Sequence, residues 1–146
     1  MFVVDTNVLV YAANTSASEH RVCRSKLDEW RQGTFPWCLT WAVTYEFLRI
    51  VTHPRVFAEP WALTDAWRFV DILLASPRVQ VLVPTSRHAE VAAQVIKDTP
   101  GLGGNLLHDV HTAVLMREHG IKRIYTRDSD FFRFKFLEVI DPLTER

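Results

Sequence analysis

Five carboxylates, Asp5, Glu46, Asp109, Asp128 and Asp130, occupy positions where the surrounding sequence does little to neutralise them. Asp5 comes directly after Phe2-Val3-Val4, three apolar residues suited to a buried strand, and no basic residue precedes Arg21. A buried, unpaired carboxylate is expensive, so either a distant Arg or Lys reaches Asp5 or a cation does. Asp128 and Asp130 follow the strand-like RIYT (123–126), in the stretch TRDSDFF. Glu46 sits among Trp41, Val43, Tyr45, Phe47, Leu48 and Ile50, a setting that keeps it from full exposure. Asp109 shares a helical stripe with Ala113 and Met116 at the edge of an apolar face.

Two of these acids have plain structural readings. Glu46 can pair with Arg49 at i+3, worth about a few tenths of a kcal/mol. Asp109, near the start of its helix, can interact with the helix dipole. As a set, however, Asp5, Glu46, Asp109 and Asp128 have too few basic neighbours to be neutralised by protein alone. Mg²⁺ and Mn²⁺ prefer oxygen ligands in octahedral geometry. Such an ion polarises a phosphoryl oxygen, activates a water and stabilises a leaving oxygen. A spare carboxylate can orient or deprotonate that water. Because the clustered acids repel a bare phosphodiester, the metal must also supply the attraction. The residues read as a site for metal-dependent phosphodiester hydrolysis.

Other acidic chemistries fit less well. A haloacid-dehalogenase-type phosphatase wants Asp-x-Asp after the first strand, and Asn7 takes the third position. A response-regulator receiver wants an acidic pair there, which is absent. No Gly-rich loop ends in Lys-Ser/Thr, and GLGG (101–104) reads as a connection. His108, His111 and His119 lack the two-His-plus-carboxylate spacing of zinc or iron sites, and a surface or supporting role suits His108. Trp30, Trp37, Trp41, Trp61 and Trp67 default to core, with a partner groove as the alternative for some.

The elements that must position the acids alternate. Strands are expected at 2–4, 35–39, 79–83, 123–126 and 137–140, with Pro36 at a strand start or edge. Helices are expected at 19–31, at 41–53 capped by Thr40, at 64–75, from Thr85 or Ser86 to about 97, and at 106–119 capped by Asn105 and closed by Gly120. This alternation predicts a three-layer α/β/α sandwich around a mainly parallel sheet. Ligands of such sheets bind at the carboxyl ends of strands, where Asp5 and Asp128 both fall.

A chain of 146 residues, 48% apolar, forms one domain (1–146) with a real core. Seventeen basic residues balance seventeen acidic ones, which argues against non-specific nucleic-acid binding through bulk charge and leaves a local patch open. Cys23 and Cys38 read as reduced core thiols of a cytoplasmic protein. The start lacks a basic n-region, and no apolar run reaches membrane-spanning length.

Four stretches in order, VVDTNVLVYAAN, TYEFLRI around Glu46, GNLLHDVHTAVLMREHG and IYTRDSDFFRF with a later PL, resemble the PIN-domain ribonucleases. They resemble most closely the VapC-type toxins of bacterial VapBC toxin–antitoxin pairs. The resemblance spans nearly the whole chain, with little of it in 53–100. It implies an Mg²⁺- or Mn²⁺-dependent endoribonuclease with Asp5, Glu46, Asp109 and Asp128 as its acidic quartet and Asp5, Asp109 and Asp128 as metal ligands. Asp130 matches a fifth acid, and Thr6, Asn7, Asn105 and Thr126 match supporting polar groups. It further implies an RNA substrate, a homodimer, and inhibition by a cognate VapB-like antitoxin whose tail covers the site. Val110 and Phe136 depart from residues common in close relatives (Ala and Gly), and neither is an acid. A PIN-type nuclease acting on DNA or structured RNA outside a toxin system is one alternative. A mainly regulatory subunit of a DNA-binding repressor complex is the other, and the intact acids argue against it.

Overall fold

The computed structural model describes residues 1–145. Five strands alternate with six helices: β1 (Phe2–Val4), α1 (Thr6–Ala13), α2 (His20–Gln32), β2 (Trp37–Thr40), α3 (Trp41–Val51), α4 (Leu63–Leu74), β3 (Val79–Leu82), α5 (His88–Asp98), α6 (Leu107–Glu118), β4 (Arg123–Tyr125) and β5 (Glu138–Ile140). Short 3-10 turns cover Gly104–Leu106 and Ser129–Arg133. The strands form one sheet in the order β3-β2-β1-β4-β5, and every pairing is parallel. The expected sandwich is therefore present, with a fully parallel sheet.

Strand alternation builds the layers. Phe2 and Val4 point to one face and meet α1 to α4 through Leu9, Leu27, Phe47 and Val70. Val3 points to the other face and, with Cys38 and Ile124, meets α5 and α6 through Val95, Ala113 and Met116. A parallel sheet covered on both faces needs apolar residues on both sides of each strand, and β1 is buried throughout. β2 lies inside the sheet between β1 and β3, with Pro36 just before it, where a missing N–H breaks no ladder bond. Both cysteines are free and buried, and burial pushes each thiol up to about 11.

Three local outcomes differ from the sequence expectation. Val8-Leu9-Val10, to which the sequence assigned no element, belongs to a helix separated from β1 by Asp5 alone; Asp5 caps it, its Oδ1 accepting from the Thr6 N–H at 2.8 Å. Asn105 does not cap α6. It lies within the preceding 3-10 turn, and α6 begins after Leu106 with no side-chain cap. Neither Thr85 nor Ser86 is the residue before α5, a place Arg87 holds; Thr85 instead accepts from the Arg87 N–H at 3.2 Å in a turn. The Thr40 cap of α3 forms as expected, its hydroxyl oxygen accepting from the Val43 N–H at 3.0 Å.

Candidate active site

Strand order reverses direction at β1: β2 lies on one side and β4 on the other. A crevice opens at the carboxyl end of such a switch point. β1 delivers Asp5 there, and β4 runs into Thr126, Arg127 and Asp128. α3, which leaves the end of β2 without a loop, carries Glu46 to the same end. α6 presents Asp109 from its first turn. Asp5, Thr6, Asn7, Glu46, Asp109 and Asp128 line one cleft of ≈ 290 Å³. A wider adjoining cleft of ≈ 740 Å³ is lined by Tyr45, Glu46, Arg49, Asn105, His108, Asp109, Asp128 and Asp130, among others.

Asp5 is buried, and neutral donors hold it rather than a cation. The Thr126 hydroxyl donates to Oδ2 at 2.7 Å, and Asn7 Nδ2 donates to the same oxygen at 2.8 Å. Thr126 Oγ1 in turn accepts from the Asp128 N–H at 2.9 Å, which ties the two strand ends together. Asn7 Oδ1 accepts from the Arg127 N–H at 3.0 Å. Thr6 donates to Glu46 Oε2 at 3.3 Å and so joins α1 to α3. Asp128 Oδ1 accepts from the Asp130 N–H at 2.9 Å, capping the 3-10 turn that carries both acids. Thr6, Asn7 and Thr126 thus orient the acids.

Cations are scarce at the cleft. Arg49 pairs with Glu46 at 3.8 Å and Arg133 with Asp130 at 3.7 Å, both on exposed side chains that water screens. Arg127, next in sequence to Asp128, turns away to Glu19 and Asp141. Among the described residues no ion pair reaches Asp5, Asp109 or Asp128. Burial pushes the Asp109 carboxyl up to about 7, and Asp128, Asp5, Asp130 and Glu46 add like-charge repulsion. Burial likewise pushes Asp5 up to about 6, against the hydrogen bonds from Thr126 and Thr6 that favour its charged form. Asp109, Asp128 and Asp130 can each offer one carboxylate oxygen within 4.8 Å of the others. That trio includes Asp130, matched in the sequence only as a fifth acid, while Asp5 stands beside it in the cleft. Oxygen-only donors at this spacing suit a hard divalent cation.

The sequence reading singled out the acids and missed the rim. Tyr45 and Arg49 line the wide cleft beside Glu46, and Tyr45 is 64% exposed. The available signal was the exposed side of α3, where an aromatic residue directly precedes the helical acid.

Residues 2–137 match the PIN domain family profile. The chain is 37% identical to "Ribonuclease VapC43" of Mycobacterium tuberculosis over 98% of its own length and 96% of the relative's. It is 36% identical to "Ribonuclease VapC37" of the same organism, over 92% of each chain. Among solved structures, FitAB bound to IR36 DNA superposes with a TM-score of 0.69 at 18% identity, covering 100% of this chain and 98% of that one. VapBC2 from Rickettsia felis, bound to a DNA fragment from its promoter, gives 0.66 at 15% identity, with 95% and 96% covered. At that identity the structures speak for the fold, while the profile and the sequence relatives speak for descent. The acids at the switch point of the sheet therefore sit in a chain that belongs to the PIN domain family.

Proposed function

We propose that this protein is a metal-dependent endoribonuclease acting as the toxin of a type II toxin–antitoxin pair. The observation that carries the reading is a cluster of acids in which Asp5, Asp109 and Asp128 have no ion pair, set in a chain 37% identical over nearly its whole length to a VapC ribonuclease. Asp109, Asp128 and Asp130, with Asp5 beside them, would hold Mg²⁺ or Mn²⁺. When bound, such an ion polarises a phosphoryl oxygen, lowers the pKa of its water and stabilises the leaving oxygen.

The chain's own residues supply the rest. Thr126, Asn7 and the Thr6 N–H fix the Asp5 carboxylate in one orientation, so little reorganisation accompanies the reaction. Glu46, which lines the same cleft and accepts from the Thr6 hydroxyl, would take a proton from the attacking water onto a carboxylate oxygen. A VapB-like antitoxin is the expected partner, because the folds that superpose include toxin–antitoxin complexes such as "VapBC-1 from nontypeable Haemophilus influenzae". A homodimer and a cytoplasmic setting complete the proposal; no helix among the described residues is long and apolar enough to cross a membrane.

The test uses purified protein with labelled RNA and DNA of the same sequence, with Mg²⁺, with Mn²⁺ and with a chelator. RNA cleavage that needs the metal and disappears in Asp5→Asn, with DNA untouched, is the expected result. Equal RNA cleavage in chelator, or a wild-type rate in Asp5→Asn, would overturn the assignment.

A further inference from the structure

One rim of the acid cleft carries groups that the acids' chemistry does not use. Trp41, Tyr45 and Arg49 succeed one another every four residues on α3, a spacing that places them on one helix face. Trp41 is 42% exposed and Tyr45 64%, and their rings lie 6.4 Å apart, centroid to centroid. Phe47 and Val51, on the buried face of the same helix, show that α3 had core positions for apolar residues. Tyr45 and Arg49 form part of the wall of the cleft that also holds Glu46, Asp109, Asp128 and Asp130. Arg49 is the one Arg or Lys among the residues lining that cleft, and its ion pair with Glu46, at 3.8 Å and exposed, is weak enough to exchange.

We propose that Tyr45 and Arg49 position the substrate: the Tyr45 ring stacks on an unpaired base next to the scissile phosphate, and the Arg49 guanidinium holds an adjacent phosphate. This rests on the ribonuclease reading above. The charge balance favours it. Formal net charge is zero, so bulk charge adds no general attraction for nucleic acid and local contacts must supply the grip. Stacking on an aromatic ring supplies affinity that needs no excess charge, and it requires a base already out of its helix. A duplex keeps its bases stacked on each other and offers the ring nothing. The Tyr45 contribution is therefore confined to substrates that present an unpaired base at the cleft.

The experiment measures steady-state cleavage, in Mg²⁺ or Mn²⁺, of one RNA hairpin cut in its loop and of the same sequence annealed to its complement. Tyr45→Ala raises KM for the loop by about tenfold with kcat largely kept, and Tyr45→Phe, which retains the ring, restores the wild-type KM. Arg49→Ala raises KM and reduces the salt slope of log KM by about one, and Arg49→Lys recovers most of both. The melting temperature of Tyr45→Ala should match wild type because the side chain is exposed, which separates this loss from misfolding. An unchanged KM in Tyr45→Ala overturns the proposal. So does a loss confined to kcat, or one seen only as weaker binding of a protein partner. If wild type cleaves no RNA with either metal, the ribonuclease reading itself has failed, which is a different result from cleavage indifferent to Tyr45.

Discussion

At the residue scale, Asp109 reports the unfavourable energy of the metal-free cluster. Its folded carboxyl stands at about 7 against 3.8 for the free side chain. Between those values the folded state binds more protons than the unfolded state, so stability falls as pH rises through that window. Asp5, at about 6, adds a contribution of the same sign. Metal-free protein is therefore expected to lose less of its melting temperature between pH 5 and pH 8 once Asp109→Asn removes its share of the penalty. At pH 8 that variant should melt no lower than wild type and gain less from added Mg²⁺ or Mn²⁺, since an ion bound only by the folded state stabilises by mass action. Thermal melts over pH and metal concentration check both points. A strongly destabilised Asp109→Asn with an undiminished metal response would make this acid a helix-dipole partner instead.

The elements determine how firmly those residues are held. α3 carries Glu46, Tyr45 and Arg49, and its start is fixed by Thr40, a fully buried cap that also accepts the Thr44 hydroxyl on its carbonyl at 3.0 Å. Thr40→Ala should cost about 1 kcal/mol in chemical denaturation and loosen the Glu46 side of the cleft. Phe131 anchors the turn that holds Asp128 and Asp130 and is fully buried against the α6 face of the sheet. Phe131→Ala should cost about 3–5 kcal/mol and reduce activity more than the fraction unfolded explains. Much of this layer was legible: short apolar runs and helical patterning located all five strands and five of the six helices. Helix α1 escaped because Val8-Leu9-Val10 has strand composition and because Asp5, conspicuous as an unpaired acid, was not recognised as its cap. Asn105 failed as a cap because it lies inside the 3-10 turn Gly104–Leu106, which runs directly into α6. The acids were visible because burial makes uncompensated charge improbable, whereas Tyr45 was read as part of the apolar surroundings of Glu46 and Arg49 only as its ion-pair partner.

For the molecule as a whole, equal numbers of acidic and basic residues leave no net charge at pH 7 to keep copies apart. Exposed apolar side chains, including Phe35, Val56, Leu63 and Phe132, add contact area. Solubility of the isolated chain should pass through a minimum near neutral pH and recover on either side, read by precipitation at matched ionic strength. A basic or acidic solubility optimum with no such minimum would show that a local patch dominates over the total.

The central strand carries a further consequence. β1 pairs on one side with β2 and on the other with β4, with Val3 opposite Cys38 and Ile124. Asp5 therefore leaves the ribosome 121 residues ahead of its hydrogen-bond partner Thr126. Until β4 and the turn after it emerge, the nascent chain lacks the second flank of β1 and two of its five acids, Asp128 and Asp130. A transcript cut short ahead of Arg123 yields an inert polypeptide. Under the proposed activity, synthesis itself is a safety catch: the product cannot attack RNA until β4 and the two acids that follow it have been made.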